Sequence, residues 1–169
     1  MTSSFNIKMS IALGTILAIG SIASPMTAWA GTFTPRFMSS AAGVCQAALP
    51  SGAGAVVRAR PLAVQNEGTN AAFVTCSFPY DNYAAQPLLI GLMLSNSNSV
   101  NAYFACTLVS GITATDANYV VRNVAMLPNS TDVTLFDSSD LPNSPDSIPG
   151  PNVSCALPPG VGIVWVYYY

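Results

Sequence analysis

Four cysteines place the strongest limit on what this chain can fold into. Cys45, Cys76, Cys106 and Cys155 all lie downstream of an N-terminal segment that has the layout of a secretory signal. Small exported domains oxidise their cysteines, so we expect two disulfides. The sequence contains no C-x-x-C pair and no histidine, and a zinc site built on these cysteines is therefore not expected.

Four cysteines can pair in three ways. We predict the pairs Cys45–Cys76 and Cys106–Cys155. The first bridge then lies within one half of the chain. The second bridge closes a loop that contains the long proline-rich segment before Cys155. Each closed loop is long enough for its bridge to stabilise the fold by roughly 3–4 kcal/mol.

Residues 1–30 predict a signal peptide, and residues 31–169 predict one secreted domain. Lys8 supplies positive charge, residues 9–22 form an apolar run, and Ala28 and Ala30 complete an A-x-A cleavage pattern. We expect cleavage after Ala30 and a secreted or periplasmic protein, with both compartments left open. An uncleaved membrane helix is the alternative, but the apolar run is shorter than the roughly 20 residues that span a bilayer.

Charge is scarce in the predicted mature domain. The domain has seven acidic residues and no histidine. Its four basic side chains are Arg36, Arg58, Arg60 and Arg122. Without histidine the chain cannot build a Ser-His-Asp or Cys-His unit, and it lacks the basic stripe that nucleic-acid binding needs. We therefore expect no enzyme activity, no cofactor and no nucleic-acid partner.

Short apolar and β-branched runs divided by Asn, Gly, Pro and Ser clusters predict an all-β fold. We expect a single disulfide-stapled antiparallel β-sandwich of about seven to eight strands. A short helix is predicted within 39–49, and 137–152 is the longest predicted loop. The predicted strands are 55–64, 72–78, 87–95, 102–109, 119–127, 132–136, 153–157 and 161–169.

Alternation along these strands predicts which side chains face the core, because successive residues of a strand point to opposite faces. Cys76, Cys106 and Cys155 each fall on an apolar row, so the bridges are expected to be buried within or between two sheets. The last strand, 161–169, is apolar on both faces, which is typical of a central strand. Strict alternation puts Trp165 on the same face as Ile163.

Surface-contact candidates come from exposed-type residues in these strands and turns. Arg58 and Arg60 share one side of a predicted strand and should project together into solvent. Tyrosines on faces rich in Asn, Ser and Thr are suited to stacking and hydrogen bonding with glycans or with another protein. The aromatic candidates are Tyr80, Tyr83, Tyr103 and Tyr119.

No metal site is expected, although one acidic loop is a minor calcium hypothesis. Asp137, Asp140 and Asp146 lie in a proline-rich stretch, and carboxylates on a flexible loop are the ligands that Ca²⁺ prefers. Their spacing does not match the D-x-[DN]-x-[DN]-G loop of EF-hands. A polar surface loop also requires no ion.

The cysteine motifs carry a resemblance to a recurrent group of small secreted bacterial proteins without assigned function. The residues that carry it span most of the predicted mature chain: Val44-Cys45, Phe73-Val74-Thr75-Cys76-Ser77, Ala105-Cys106-Thr107-Leu108 and Ser154-Cys155-Ala156-Leu157-Pro158-Pro159-Gly160. The resemblance implies a two-disulfide β-sandwich and no particular activity.

The chain also resembles a chaperone–usher fimbrial subunit in its length, its signal peptide, its early disulfide and its apolar last strand with penultimate Tyr168. Such subunits are completed by a strand from a neighbour. We expect an exported non-enzymatic binding or structural module, with an assembly subunit as the alternative. A small outer-membrane β-barrel is a lesser alternative, because the last strand ends on an aromatic residue.

Overall fold

The structure, a computed structural model, describes residues 37–48, 54–79 and 87–169. The predicted signal peptide and its cleavage site at Ala30 lie outside these residues. In the described part of the chain no helix is long and apolar enough to cross a membrane.

Eleven strands and one helical turn of α type make up the described chain. In chain order they are β1 (Phe37–Ser40), α1 (Ala41–Val44), β2 (Cys45–Ala47), β3 (Val57–Arg60), β4 (Ala63–Asn66), β5 (Ala72–Ser77), β6 (Leu89–Asn96), β7 (Ala102–Ser110), β8 (Asn118–Met126), β9 (Ser130–Asp137), β10 (Asn152–Leu157) and β11 (Val161–Tyr168). A short 3₁₀ helix, Ser138–Asp140, follows β9.

The strands form two antiparallel sheets. The first sheet has the order β3-β4-β11-β6-β9, with β1 paired to β11, and the second has the order β2-β5-β10-β7-β8. Buried side chains of both sheets belong to one hydrophobic cluster, which includes Leu92, Ile163 and Val166 from the first sheet and Val74 and Leu108 from the second. The predicted all-β class with two disulfides is confirmed.

The predicted strand count of seven to eight was too low. Pro61 and Leu62 form a turn inside the predicted strand 55–64, which is therefore two strands, β3 and β4. Proline has no backbone N–H to give to a sheet, and it fixes the turn geometry. The other two additions, β1 and β2, have four and three residues and are too short to show an alternating pattern. The predicted helix within 39–49 is reduced to α1.

Both disulfides lie inside the second sheet, and each joins residues that face each other on neighbouring strands. Cys45 pairs with Cys76 between β2 and β5, with a Cα–Cα distance of 3.9 Å. Cys106 pairs with Cys155 between β7 and β10, at 4.0 Å. This is the pairing that the spacing predicted. The bridges therefore fasten strands within one sheet and do not connect the two sheets.

The last strand, β11, is central, as its sequence predicted, but strict alternation fails within it. The register against β6 shifts between Ile163 and Trp165, where Ile163 faces Leu94 and Trp165 faces Met93. The extra residue of this β-bulge reverses the facing of everything after it. Ile163 therefore points into the core, whereas Trp165 points to the outer side of the first sheet. The prediction that they share a face was wrong.

Two buried asparagines hold the turns by which the chain crosses from the first sheet to the second. Asn66 ends β4, and its amide nitrogen donates to the carbonyl oxygens of Asn70 and Leu157, each at 2.8 Å. Asn96 ends β6, and its amide nitrogen donates to the carbonyl oxygens of Val100 and Leu127, each at 2.9 Å. We call these turns the Asn66 corner, from β4 to β5, and the Asn96 corner, from β6 to β7.

The β10–β11 turn lies between the two corners and bonds to both. Gly160 N donates to Asn66 O at 2.7 Å, and Gly160 O accepts from Ser97 N at 3.1 Å. Gly160 has φ +74°, and a Cβ there would overlap the side chain of Asn98. Only glycine fits this backbone conformation and this space. The order β4-β11-β6 in one sheet is thus matched by β5-β10-β7 in the other.

Candidate functional site

The outer side of the second sheet is a broad surface without charge. Antiparallel partners point to the same side of a sheet, so the printed registers identify its side chains. We call this surface the hydroxyl–aromatic face, and none of its residues, all within the described chain, is charged. It consists of Gln46, Phe73, Thr75, Ser77, Tyr103, Ala105, Thr107, Val109, Tyr119, Val121, Asn123, Ala125, Asn152, Ser154 and Ala156.

Three aromatic side chains stand out of this face. Tyr103 is 70% exposed, Tyr119 is 68% exposed and Phe73 is 61% exposed. Phe73 lies directly beside Ala156 in the β5–β10 register. Because strands are spaced about 4.8 Å apart, the strand of Phe73 and the strand of Tyr103 are separated by about 10 Å.

Between these aromatic side chains the surface is lined by small side chains. Cys155 faces Cys106 in the β10–β7 register, so the next residues, Ala156 and Ala105, lie side by side. Both side chains are a single methyl group. Tyr103 precedes Ala105 by two residues on β7, so the two rings stand diagonally on either side of this floor of alanine.

A row of hydroxyl groups crosses the middle of the face. Thr75 faces Ser154, and Ser154 faces Thr107 on the next strand. Thr75 Oγ1 lies 3.2 Å from Ser154 Oγ, within hydrogen-bond distance. Each hydroxyl is one donor and two acceptors, so the row keeps hydrogen-bonding capacity that points outward.

Tyr103 is exposed but held in place. Its hydroxyl oxygen accepts a hydrogen bond from Asn101 Nδ2 at 3.1 Å. A shallow depression of ≈ 400 Å³ adjoins the ring and is lined by Phe104, Ala105, Asn123, Val124 and Ala125 as well. A fixed aromatic ring loses less conformational entropy on binding than a free one.

The β7–β8 hairpin, near Tyr119, contains the carboxylate with the clearest electrostatic perturbation. The Thr113 hydroxyl donates to Asp116 Oδ1 at 2.6 Å, and the Thr113 backbone N–H donates to the same oxygen at 2.6 Å. These bonds favour the ionised form and hold the pKa of Asp116 below its ordinary value. They close the hairpin turn.

The two arginines predicted to project into solvent do so, on the first sheet and away from the hydroxyl–aromatic face. Arg58 and Arg60 lie on the edge strand β3 and both are exposed. Each forms an ion pair with Glu67 at the Asn66 corner, and Arg58 Nε is 3.3 Å from Glu67 Oε2. The sequence indicated their exposure but not this shared partner.

The acidic loop is organised by protein groups. Asp137 Oδ1 accepts the Ser139 N–H and Asp140 Oδ2 accepts the Asp137 N–H, both at 2.8 Å, as a capping box for the 3₁₀ helix. Arg122 Nη2 donates to both carboxylate oxygens of Asp140 at 2.5–2.6 Å. Asp146 lies further along the loop. Among the described residues no group of three His, Cys, Asp or Glu side chains is arranged to hold a metal ion.

Of the four tyrosine candidates, Tyr103 and Tyr119 are brought onto one face, while Tyr80 and Tyr83 lie outside the described residues. Sequence reasoning missed Phe73 as a surface residue. A signal for it exists, because Phe73 precedes Cys76 by the same three positions as Tyr103 precedes Cys106.

No family model matches the chain, and no curated protein sequence matches it significantly.

Proposed function

We propose that this protein is an exported, non-enzymatic β-sandwich that binds an uncharged polysaccharide on its hydroxyl–aromatic face. The observation that carries the proposal is the pair of exposed rings, Phe73 and Tyr103, on either side of an alanine floor. Export is supported by the two disulfides, which persist in oxidising compartments.

The chemistry of the face favours sugars over charged ligands. A polyanion or a polycation would need countercharges, and the described residues of this face carry none. The faces of pyranose rings are lined with C–H groups that stack on aromatic side chains, and their edges carry hydroxyls. Phe73 and Tyr103 match the first property, and the row Thr75–Ser154–Thr107 matches the second.

The direct test is depletion of the purified protein from solution by insoluble neutral polysaccharides, cellulose and chitin, and by neutral dextran in affinity electrophoresis. Tyr103→Ala and Phe73→Ala should each weaken binding to the retained polymer roughly tenfold, because each loses one stacking contact. Leu135→Ala, on the outer side of the first sheet, is the matched control, because it removes an exposed apolar side chain that lies away from the hydroxyl–aromatic face.

Binding that survives in a variant carrying both Phe73→Ala and Tyr103→Ala, or that is lost equally in Leu135→Ala, would place the ligand elsewhere and overturn the assignment of this face. Binding confined to anionic polymers would contradict the uncharged ligand class. The mass of the exported chain tests the compartment separately, since removal of the predicted signal peptide should leave Gly31 at the amino terminus.

A further inference from the structure

The two disulfides of the second sheet differ in their access to solvent. Cys45 is partly exposed, whereas Cys76, Cys106 and Cys155 are each 0% exposed. Thiol–disulfide exchange begins when a thiolate attacks one sulfur of the bridge, so its rate depends on access to that sulfur. In the folded chain, only the Cys45–Cys76 bridge presents a partly exposed cysteine to such an attack.

A surface depression adjoins the exposed end of this bridge. Its volume is ≈ 380 Å³, and Cys45 lines it together with Gly43, Gln46 and Ser77, among other residues. Gly43, Gln46 and Ser77 are exposed, so the depression opens to solvent. It therefore gives an attacking thiolate a route to Cys45.

The strand that carries Cys45 is the shortest strand of its sheet. β2 has three residues and, within the described chain, pairs with β5 alone. Beyond the strand, one further backbone hydrogen bond runs from Ala48 N to Phe73 O at 2.9 Å. Segments with few contacts open locally at a small cost in free energy. Opening of β2 would expose the bridge further and leave the other strands of the sheet paired.

The Cys106–Cys155 bridge has a different setting. It joins two interior strands, because β10 lies between β5 and β7, and β7 lies between β10 and β8. Both of its cysteines belong to the hydrophobic core. A thiolate reaches this bridge when β7 and β10 separate, and that separation disrupts the middle of the second sheet.

We propose that Cys45–Cys76 is a redox-sensitive bridge that a dithiol reduces in the folded protein, and that its reduction releases β2 from the edge of β5. The released strand keeps no covalent link to β5. The backbone N–H and C=O groups at that edge of β5 then become available to solvent or to another strand. The Cys106–Cys155 bridge stays closed and keeps the middle of the sheet together.

The exchange takes place in two steps. One thiolate of the dithiol attacks Cys45 Sγ, the bond to Cys76 Sγ breaks, and Cys76 leaves as a thiolate that takes up a proton. The second thiol of the reductant loses its proton and attacks the mixed disulfide, and Cys45 leaves as a thiolate that is protonated in turn. The dithiol loses two electrons and two protons and becomes a disulfide, while the bridge gains them and becomes two thiols.

Reduction under native conditions tests the order in which the bridges open. The folded, oxidised protein is incubated with dithiothreitol, free thiols are trapped with N-ethylmaleimide, and peptic peptides are identified by mass spectrometry. Pepsin is needed because no Lys or Arg lies between Cys76 and Cys106 in the sequence. We expect Cys45 and Cys76 to be labelled together, at least about tenfold faster than Cys106 and Cys155. In urea above the unfolding transition the two bridges should be reduced at similar rates.

Ala48→Pro tests whether the opening of β2 limits the reaction. It removes the N–H that bonds to Phe73 O and leaves all four cysteines in place. We expect the Cys45–Cys76 bridge to be reduced about fivefold faster and the other bridge at an unchanged rate. Ala114→Pro is the matched control, because Ala114 is exposed and follows Thr113 in a turn closed by the bond from Asp116 N to Thr113 O. It should change neither rate.

Hydrogen exchange measured by mass spectrometry tests the release of β2. After selective reduction and trapping, exchange should become faster in peptides that contain β2 and β5 and stay unchanged in β7 and β11. The variant Cys45→Ala with Cys76→Ala is a permanently open form without attached maleimide. It should show the same pattern of exchange.

Four results would overturn the proposal. The first is equal reduction rates of the two bridges in the folded protein, and the second is earlier reduction of Cys106–Cys155. The third is reduction of Cys45–Cys76 only at the rate of global unfolding, with no effect of Ala48→Pro. The fourth is unchanged hydrogen exchange of β2 after its bridge opens, which would show that backbone pairing alone holds the strand.

Discussion

The Asn66 and Asn96 corners are built on one pattern. Asn66, Ala72, Phe73 and Cys76 recur thirty residues later as Asn96, Ala102, Tyr103 and Cys106. In both corners a buried asparagine donates to two carbonyl oxygens, and its Oδ1 accepts the N–H of the residue two positions on, at 3.0 Å. One carbonyl belongs to its own loop, and the other lies at the end of a strand in the second sheet (Leu157 of β10) or one residue beyond it (Leu127, after β8).

The corners differ in what surrounds them. At the Asn66 corner the residue two positions on is Gly68, and a Cβ there would come within 2.6 Å of the backbone nitrogen of Val56. At the Asn96 corner it is Asn98, whose side chain donates to Pro159 O at 2.7 Å. The shared asparagine therefore holds the turn in both corners. The chain segment packed beside each corner determines which residue fits two positions after the asparagine.

The disulfide that follows each corner also differs in its position within the second sheet. Cys76 bonds to Cys45 on the three-residue edge strand β2, whereas Cys106 bonds to Cys155 on the central strand β10. One corner is thus fastened at the margin of the second sheet and the other at its middle. The following predictions test how far the likeness between the corners extends, in order of expected effect.

Removal of the central bridge should have the largest effect. The double variant Cys106→Ala with Cys155→Ala opens the loop between two cysteines that are 49 positions apart in sequence. It also leaves a small cavity at each of two fully buried positions. We expect a loss of about 4–5 kcal/mol in the free energy of unfolding, against about 3 kcal/mol for Cys45→Ala with Cys76→Ala. Urea denaturation measures both, and equal losses would show that the position in the sheet does not matter.

The asparagines should come next, with matching losses. Asn96→Ala leaves the carbonyl oxygens of Val100 and Leu127 without that donor, and Asn66→Ala does the same at Asn70 and Leu157. Buried groups that lose a partner cost about 1–3 kcal/mol, so we expect about 2–3 kcal/mol for each variant. Asn123→Ala, at an exposed position, should be close to neutral. A neutral Asn66→Ala would break the likeness between the corners.

The sequence predicted the positions of the strands better than the way in which the strands pair. Seven of the eight predicted strands correspond to β5–β11, because each long alternating run ends at residues that favour turns. The bulge at the middle of β11 was not predictable, since it arises from pairing with β6 and has no local signal. Pro61 was a signal, but it stood inside an apolar run that concealed the turn.

The candidate face was predictable residue by residue but not as a surface. Tyr103 and Tyr119 could be named from composition, yet their common face depends on the register between β7 and β8. Phe73 joins them because β10 lies between β5 and β7, a strand order that no local pattern encodes. The thirty-residue recurrence is the one sequence signal that could have linked Phe73 to Tyr103.

Asn98, two positions after the shared asparagine Asn96, should have a smaller effect on stability. Asn98→Ala removes the hydrogen bond to Pro159 O and leaves the turn made by Asn96 intact. We expect a loss of about 1 kcal/mol, measured by urea denaturation. Because Gly68 has no side chain to contribute, the Asn66 corner has no counterpart to this bond. A loss as large as that of Asn96→Ala would mean that Asn98, and not the shared asparagine, fixes the corner.

Salt should distinguish the corners at the position just after each asparagine. Glu67 is held by Arg58 and Arg60, whereas Ser97 Oγ donates to Gly160 O at 2.6 Å. Glu67→Gln should cost about 0.5 kcal/mol at low salt and nothing near 1 M salt, because exposed ion pairs are weak and screened. Ser97→Ala should cost about 0.5 kcal/mol at either salt concentration, since its hydrogen bond joins neutral groups. Thermal unfolding at both concentrations measures the contrast. If Glu67→Gln kept its full cost in high salt, the arginines would act on the corner through packing of their side chains and not through charge.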